Sequence, residues 1–218
     1  MSSEITPDSS KSEYISQREL SRGKWISLNE ITYKDPNGSK CQWEAVFRTT
    51  GQEGSADAVV ILGIVKRLLK YDCVVLVKQY RPPLKKYTIE FPAGLVDAGE
   101  SLEECAVREL KEETGYFGKP KHLSPAISLD AGISNSTVSL VTVEIDGDLL
   151  ENKNPQPKPE ESEFIEVFTV PLDDLLEKLN EFTASADIVV DARVYTYAVA
   201  MEQTKKHILK PPSLNHAC

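Results

Sequence analysis

Glu109, Glu112 and Glu113 follow one another at i, i+3 and i+4 directly after Arg108. On a helix these three carboxylates share one side. At about 100° per residue, Glu109 and Glu113 lie on either side of the line through Leu102, whereas Glu103, Glu104 and Lys111 occupy the opposite arc. The second set is a solvated face. The first borders an apolar stripe, where like charges repel and lose hydration. A hard cation with oxygen ligands is the usual compensation, and Mg²⁺ in particular combines a few carboxylates with the phosphates of a substrate. Arg108, one turn before Glu112, can hold that carboxylate by an ion pair. A Glu-rich helix can equally be no more than a solvated face, so the cluster alone does not establish a site.

The elements that must position this cluster are legible on either side of it. Ser101 and Glu104 have the spacing of a capping box and Gly115 supplies the stop, which predicts a helix between them. Upstream, the apolar runs AVVILGIV and CVVLVKQY and the shorter YTIEF predict three strands. Downstream, ISNSTVSLVTVEI predicts a strand, residues 154–159 a Pro-rich loop, and EFIEVFTV another strand. Amphipathic helices are expected at Leu172–Phe182 and Ala192–His207. Near the start, KWISLNEITY and KCQWEAVF flank the turn residues Asp35-Pro36-Asn37-Gly38, which predicts a β-hairpin. Strands and helices do not alternate regularly, so the expected class is α+β with a mixed sheet. The expected organisation is a tail at 1–13, an N-terminal β subdomain at 14–54, a main domain at 55–209 and a tail at 210–218.

Composition narrows the function further. The chain has 218 residues and a net charge of −9, so a general electrostatic grip on nucleic acid is not expected. No run approaches the roughly 18 apolar residues of a membrane span. The opening MSSEITPDSSKSE lacks the basic end and apolar core of a signal peptide, so the expected compartment is the cytoplasm, the nucleus or both. The four cysteines are too scattered for a zinc motif and are expected as free thiols. Three histidines with no Ser or Cys motif nearby disfavour a hydrolytic triad.

From Gly94 to Tyr116 the chain reads GLVDAGESLEECAVRELKEETGY. This matches the Nudix box, G-x5-E-x7-R-E-U-x-E-E-x-G-U, with Gly94, Glu100, Arg108, Glu109, Leu110, Glu112, Glu113 and Gly115 in place; only Tyr116 departs from the usual aliphatic residue. The chain therefore resembles the Nudix hydrolases. The resemblance implies a mixed β-sheet packed between helices, here with a small N-terminal β-hairpin subdomain. It also implies hydrolysis of a nucleoside diphosphate linked to another moiety with Mg²⁺, Mn²⁺ being the alternative ion. The implied metal ligands are Glu109, Glu113 and the backbone carbonyl of Ala93, with Glu112 in or beside the shell.

Outside the box, GKW at 23–25, WE at 43–44 with Arg48, VLVKQYRPP at 75–83, IEFPAGLVDAGE at 89–100 and SEFIEV at 162–167 resemble the ADP-sugar (ADP-ribose) pyrophosphatase branch, its animal members closely. That branch implies a homodimer converting ADP-ribose to AMP and ribose 5-phosphate, with related ADP-sugars and oxidised guanine nucleoside diphosphates as further substrates. Trp25 and Trp43, which as bare residues read first as core or interface anchors, would sandwich the adenine from different subunits. Glu44 and Arg48 would add polar contacts, the backbone near Leu95 would approach the ligand, and Asp130 would contribute across the dimer. Arg81 would place its guanidinium fork on a phosphate. Glu163 would be the general base and reach the metal, with Glu112 and Arg108 beside it in the catalytic machinery. One departure stands out: the proline of this branch, sixteen residues after Gly115, is Ala131 here. The alternatives are a Nudix hydrolase of another nucleoside diphosphate derivative, such as a GDP-sugar or a coenzyme A, and a non-catalytic ADP-ribose-binding protein. Intact Arg108, Glu109, Glu112 and Glu113 disfavour the second.

Overall fold

A computed structural model describes residues 11–49, 56–159 and 164–208, the side chains of 207 and 208 excepted. The chain divides into two compact units, one made of residues up to Asp57 with Ala126–Val138, the other of Ala58–Pro125 with the residues from Ser139 onward.

The first unit carries a three-stranded antiparallel sheet in the order β1 (Glu13–Arg22), β2 (Ile26–Lys34), β3 (Lys40–Arg48). The expected hairpin is β2–β3, and its turn is closed by Asp35, whose carboxylate accepts the backbone N–H groups of Asn37 and Ser39. Gly38 completes it at φ 86°. The sequence did not announce β1, which is exposed along its whole length and so shows no apolar face to read. The expected strand from Ile133 is shorter than predicted. Ile133 and Ser134 both donate to the Asp130 carbonyl in a turn, and the strand proper starts at Thr137.

The second unit is a mixed sheet between helices. Its strands are β4 (Ala58–Lys66), β5 (Cys73–Arg81), β6 (Lys86–Glu90), β7 (Ala93–Leu95), β8 (Lys119–Leu123), β10 (Thr137–Asp146), β11 (Ile165–Pro171) and β12 (Ile188–Val190). A two-residue strand, β9 (Ile127–Ser128), pairs with the first residues of β10 within the first unit. The order is β12-β6-β5-β4-β10-β8, with β11 paired to β5 and β7 to β4; β12 and β6 run parallel. The apolar runs of β4 and β5 are continuous because both faces are covered. On one face Val59, Ile61, Val65 and Val75 pack with Val141, Val143 and Ile145 against Cys105, Ala106 and Leu110 of α1 (Leu102–Thr114). The intervening residues Val60, Val74 and Leu76 turn to the other face and are equally buried. That face is covered by α3 (Leu175–Thr183) and α4 (Ala192–Ile208). A single 3₁₀ turn at Leu172–Asp174 replaces the start of the first of these two expected helices. A short α2 (Leu150–Lys153) precedes the Pro-rich loop. Among the described residues no helix is long and apolar enough to cross a membrane.

Leu110 is fully buried at the centre of the α1 face. Leu110→Ala should cost about 2–5 kcal/mol in chemical denaturation while leaving the denaturant slope unchanged.

Candidate active site

The box chain leaves β6, runs through Phe91 and Pro92 into β7, and turns into α1. Ser101 caps this helix: its hydroxyl accepts the Glu104 N–H at 3.2 Å, and the Glu104 carboxylate accepts the Ser101 N–H at 2.9 Å. Gly115 ends it in the left-handed region at φ 75°, donating to the Lys111 carbonyl. β7 is fixed by its pairing with β4, Ala93 opposite Val60 and Gly94 opposite Val59. Helix and strand therefore meet with the acidic face of α1 against the β7 backbone. Glu113, only 4% exposed, accepts the Ala93 N–H at 3.1 Å. The Glu109 carboxylate lies against Gly94 so closely that a side-chain carbon there would overlap it, which is why the strand carries glycine.

Arg108 is the counter-ion of this cluster. Its Nε and Nη2 fork onto Glu100 at 2.8 Å each, Nη1 reaches Glu109 at 2.7 Å and Glu112 at 3.1 Å, and Nη2 also donates to the Leu95 carbonyl at 3.1 Å. The expected ion pair with Glu112 is present and is longer than those with Glu100 and Glu109. The paired carboxylates, Glu100 foremost, hold the guanidinium protonated well above its ordinary range. The hydrogen bonds from Arg108 in turn draw the Glu100 carboxyl below the usual carboxylate value. Cys105 donates to the Leu95 carbonyl at 3.3 Å, and burial pushes its thiol up to about 12, so it is no nucleophile at neutral pH.

Among the described residues no three His, Cys, Asp or Glu side chains close into a finished ligand cage. The donors gathered at Ala93–Gly94 nonetheless suit a hard divalent cation: they are oxygens only, two of them carboxylates borne on one helix face and steered onto one strand.

Arg81, at the end of β5, forks onto Glu90 with Nε–Oε1 2.7 Å and Nη2–Oε2 2.6 Å, which raises its pKa further, and it also senses the charge of Glu113. Glu163 lies outside the described residues. The chain on either side of it is fixed: the Lys158 N–H donates to the Glu112 carbonyl at 2.8 Å, and β11 opens with Ile165 opposite Gln79, two residues before Arg81. The peptide of Gln156 and Pro157 packs against Gly115 where any side chain would collide with it. Behind the loop, buried Asn152 clamps the Phe117 N–H and carbonyl and the Asp146 carbonyl. Neither Glu90 nor Asn152 stood out in the sequence, and Glu100 did so only as a box position; charge spacing along one helix does not reveal partners on other elements.

In the first unit, Trp25 is 63% and Trp43 48% exposed. Trp43 Nε1 donates to the Gly132 carbonyl at 2.9 Å, and the Val46 N–H donates to the Ile133 carbonyl at 2.7 Å, so the Asp130–Gly132 turn sits beside β3. Strand alternation places Glu44 and Arg48, both exposed, on the face opposite Trp43. Lys24 lies over the Trp25 ring at 4.4 Å.

A mixed sheet between helices with a glycine-flanked acidic helix docked on a short strand is a carboxylate site of defined type, and residues 54–191 match the NUDIX domain. The chain belongs to the Nudix hydrolase family, whose members generally use divalent metal ions. It is 44% identical over 212 residues to the ADP-sugar pyrophosphatase of Mus musculus, covering 97% of each chain. It is 43% identical over 194 residues to the ADP-ribose pyrophosphatase of Saccharomyces cerevisiae, covering 88% of this chain and 84% of that one. The crystal structure of an ADP compounds hydrolase superposes with a TM-score of 0.61 at 20% identity, covering 92% of this chain and 97% of that one, a likeness of fold.

Because Glu100 has its pKa depressed in the folded state, its stabilisation is complete above the ordinary carboxylate value and fades as pH falls through the depressed one. Glu100→Gln should lower the thermal midpoint at pH 7 by about 2–5 °C, and the gap to the wild type should close below about pH 4 in scanning calorimetry. Gly115→Ala combines an unfavourable φ with a collision against Gln156; circular dichroism melts should show a loss of about 1–3 kcal/mol.

Proposed function

We propose that this chain hydrolyses ADP-ribose and related ADP-sugars to AMP and a sugar phosphate, as a Mg²⁺-dependent homodimer in the cytoplasm or nucleus. The observation that carries this is the convergence of Glu109 and Glu113 on Ala93–Gly94 within reach of the field of Arg81, in a chain similar over nearly its full length to an ADP-sugar pyrophosphatase. Bound on Glu109, Glu113 and the Ala93 carbonyl, with Glu112 in or beside the shell, Mg²⁺ (or Mn²⁺) would neutralise the diphosphate and stabilise charge in the transition state. The remaining roles belong to the chain. Arg81 offers a guanidinium to a phosphate oxygen. Glu163, between the anchored Lys158 and the start of β11, takes the proton of the attacking water. Arg108 donates to Glu100, Glu109 and Glu112 together and so holds the three carboxylates in one place.

The adenine falls to Trp25 and Trp43, with Glu44, Arg48, Asp130 and the Leu95 backbone supplying polar contacts. The register of the first sheet supports a clamp made by two chains. The Trp25 carbonyl accepts the Thr49 N–H, so Trp25 sits level with Thr49, the residue just after β3, and six positions from Trp43, about 20 Å along the strand direction. One aromatic ring cannot touch both tryptophans of a single chain across that span. Cys41, Cys73 and Cys105 are free thiols, which supports the reducing compartment.

Incubation with a panel of nucleoside diphosphate derivatives, with and without Mg²⁺, tests the proposal: AMP and ribose 5-phosphate from ADP-ribose are expected, and preferential cleavage of a GDP-sugar or a coenzyme A would redirect it. Glu109→Gln and Glu113→Gln should each lower turnover by at least about 100-fold with folding retained. Trp43→Ala should raise KM for ADP-ribose more than it lowers kcat, since stacking contributes about 1–3 kcal/mol per base. An active monomer in light scattering at assay concentration would rule out the shared clamp.

A further inference from the structure

Glu90 is buried almost as completely as Glu113, at 5% against 4% exposure, and the reaction above assigns it no task. It lies on β6 opposite Val77, and strand alternation puts Val77, Gln79 and Arg81 of β5 on the same face as Lys86, Thr88 and Glu90 of β6. Arg81 extends back along this face over Thr88 to reach Glu90, whose Oε1 also accepts the Thr88 hydroxyl. The pair is asymmetric: the Glu90 side chain is 6% exposed and that of Arg81 45%. Beside it Asp191 forks onto Arg193 at 2.8 and 2.6 Å, near enough to act electrostatically on Arg81, while Glu90 acts on Arg193.

A buried carboxylate paired with a half-exposed guanidinium contributes little net stability, because desolvating the acid offsets the attraction. What it fixes is direction. Glu90 takes the Nε–Nη2 edge of a planar fork, and the Nη1 edge therefore faces away from it. A free arginine would lose rotamer freedom each time it gripped an anion; here that freedom is lost on folding instead.

We propose that Glu90 is a positioning residue that holds Arg81 with its outer edge presented to the substrate diphosphate. This rests on the reading of Arg81 as a phosphate-binding arginine in an ADP-sugar hydrolase. The sign of one substitution separates positioning from charge. Glu90→Gln removes a negative charge near an anionic substrate, so an effect of charge alone would lower KM for ADP-ribose. Positioning demands the reverse: KM rises about tenfold, the size of one charge-assisted hydrogen bond, with the thermal midpoint little changed.

Steady-state kinetics on Glu90→Gln, Arg81→Ala and the double variant decide the matter. The double variant should show the KM of Arg81→Ala alone, because Glu90 acts only through that side chain. A KM for Glu90→Gln that falls or stays unchanged, or full additivity with Arg81→Ala, overturns the proposal. If Glu90→Gln is too unstable to assay, Thr88→Val, which removes the hydroxyl steadying Oε1, is read the same way. A wild-type chain that leaves ADP-ribose intact overturns the functional reading and this one with it. A wild type that cleaves ADP-ribose while Glu90→Gln keeps its KM overturns the role of Glu90 alone.

Discussion

One guanidinium makes this site possible. Glu100, Glu109 and Glu112 come from a loop and a helix too close together for their charges to coexist without a cation, and Arg108 touches all three. Without it, repulsion would splay the loop from the helix. With it, the loop between β7 and α1 is tied to the helix through the forked contact with Glu100. The Leu95 carbonyl, accepting from the same side chain, ties in the strand as well. The geometry of Ala93 and Gly94 against Glu113 and Glu109 then follows from a local electrostatic balance, and the core beneath α1 needs only to hold the helix down.

The two glycines of the box do different physical work. Gly94 is there because the Glu109 carboxylate occupies the space a side chain would take. Gly115 is there twice over: the backbone is left-handed, and the Pro-rich loop presses on it. The second contact ties the end of α1 to a segment about forty residues further along the chain, so the acidic helix and the approach to Glu163 are not independent.

Much of this could be read from the sequence. The capping box and the terminal glycine bound the helix that Leu102–Thr114 forms, and the apolar runs of β4 and β5 marked strands covered on both faces. The shared side of Glu109 and Glu113 followed from helical periodicity. Other features left no local trace. β1 is exposed throughout, so it lacks the alternation that signals a half-buried strand. β7 is three residues long and exists only because β4 pairs with it. The grip of Arg108 on Glu100 spans eight residues across a loop, and that of Arg81 on Glu90 crosses two strands. Both depend on tertiary structure, which periodicity does not encode.

The way the two units are threaded also bears on how the chain folds. The first unit needs residues 126–138 as well as the N-terminal sheet, and in the second the edge of β6 is covered only when β12 arrives at Ile188–Val190. During synthesis neither unit can close as its first half emerges. The strands β4, β5 and β6, rich in apolar residues, wait with unpaired edges until β10, β11 and β12 have been made. Such distant pairing makes folding slow and leaves nascent chains prone to association. A chain cut before Ile188 would keep the whole box sequence and lack the strand that shields the β6 edge, so it would be lost to aggregation before it was tested for chemistry.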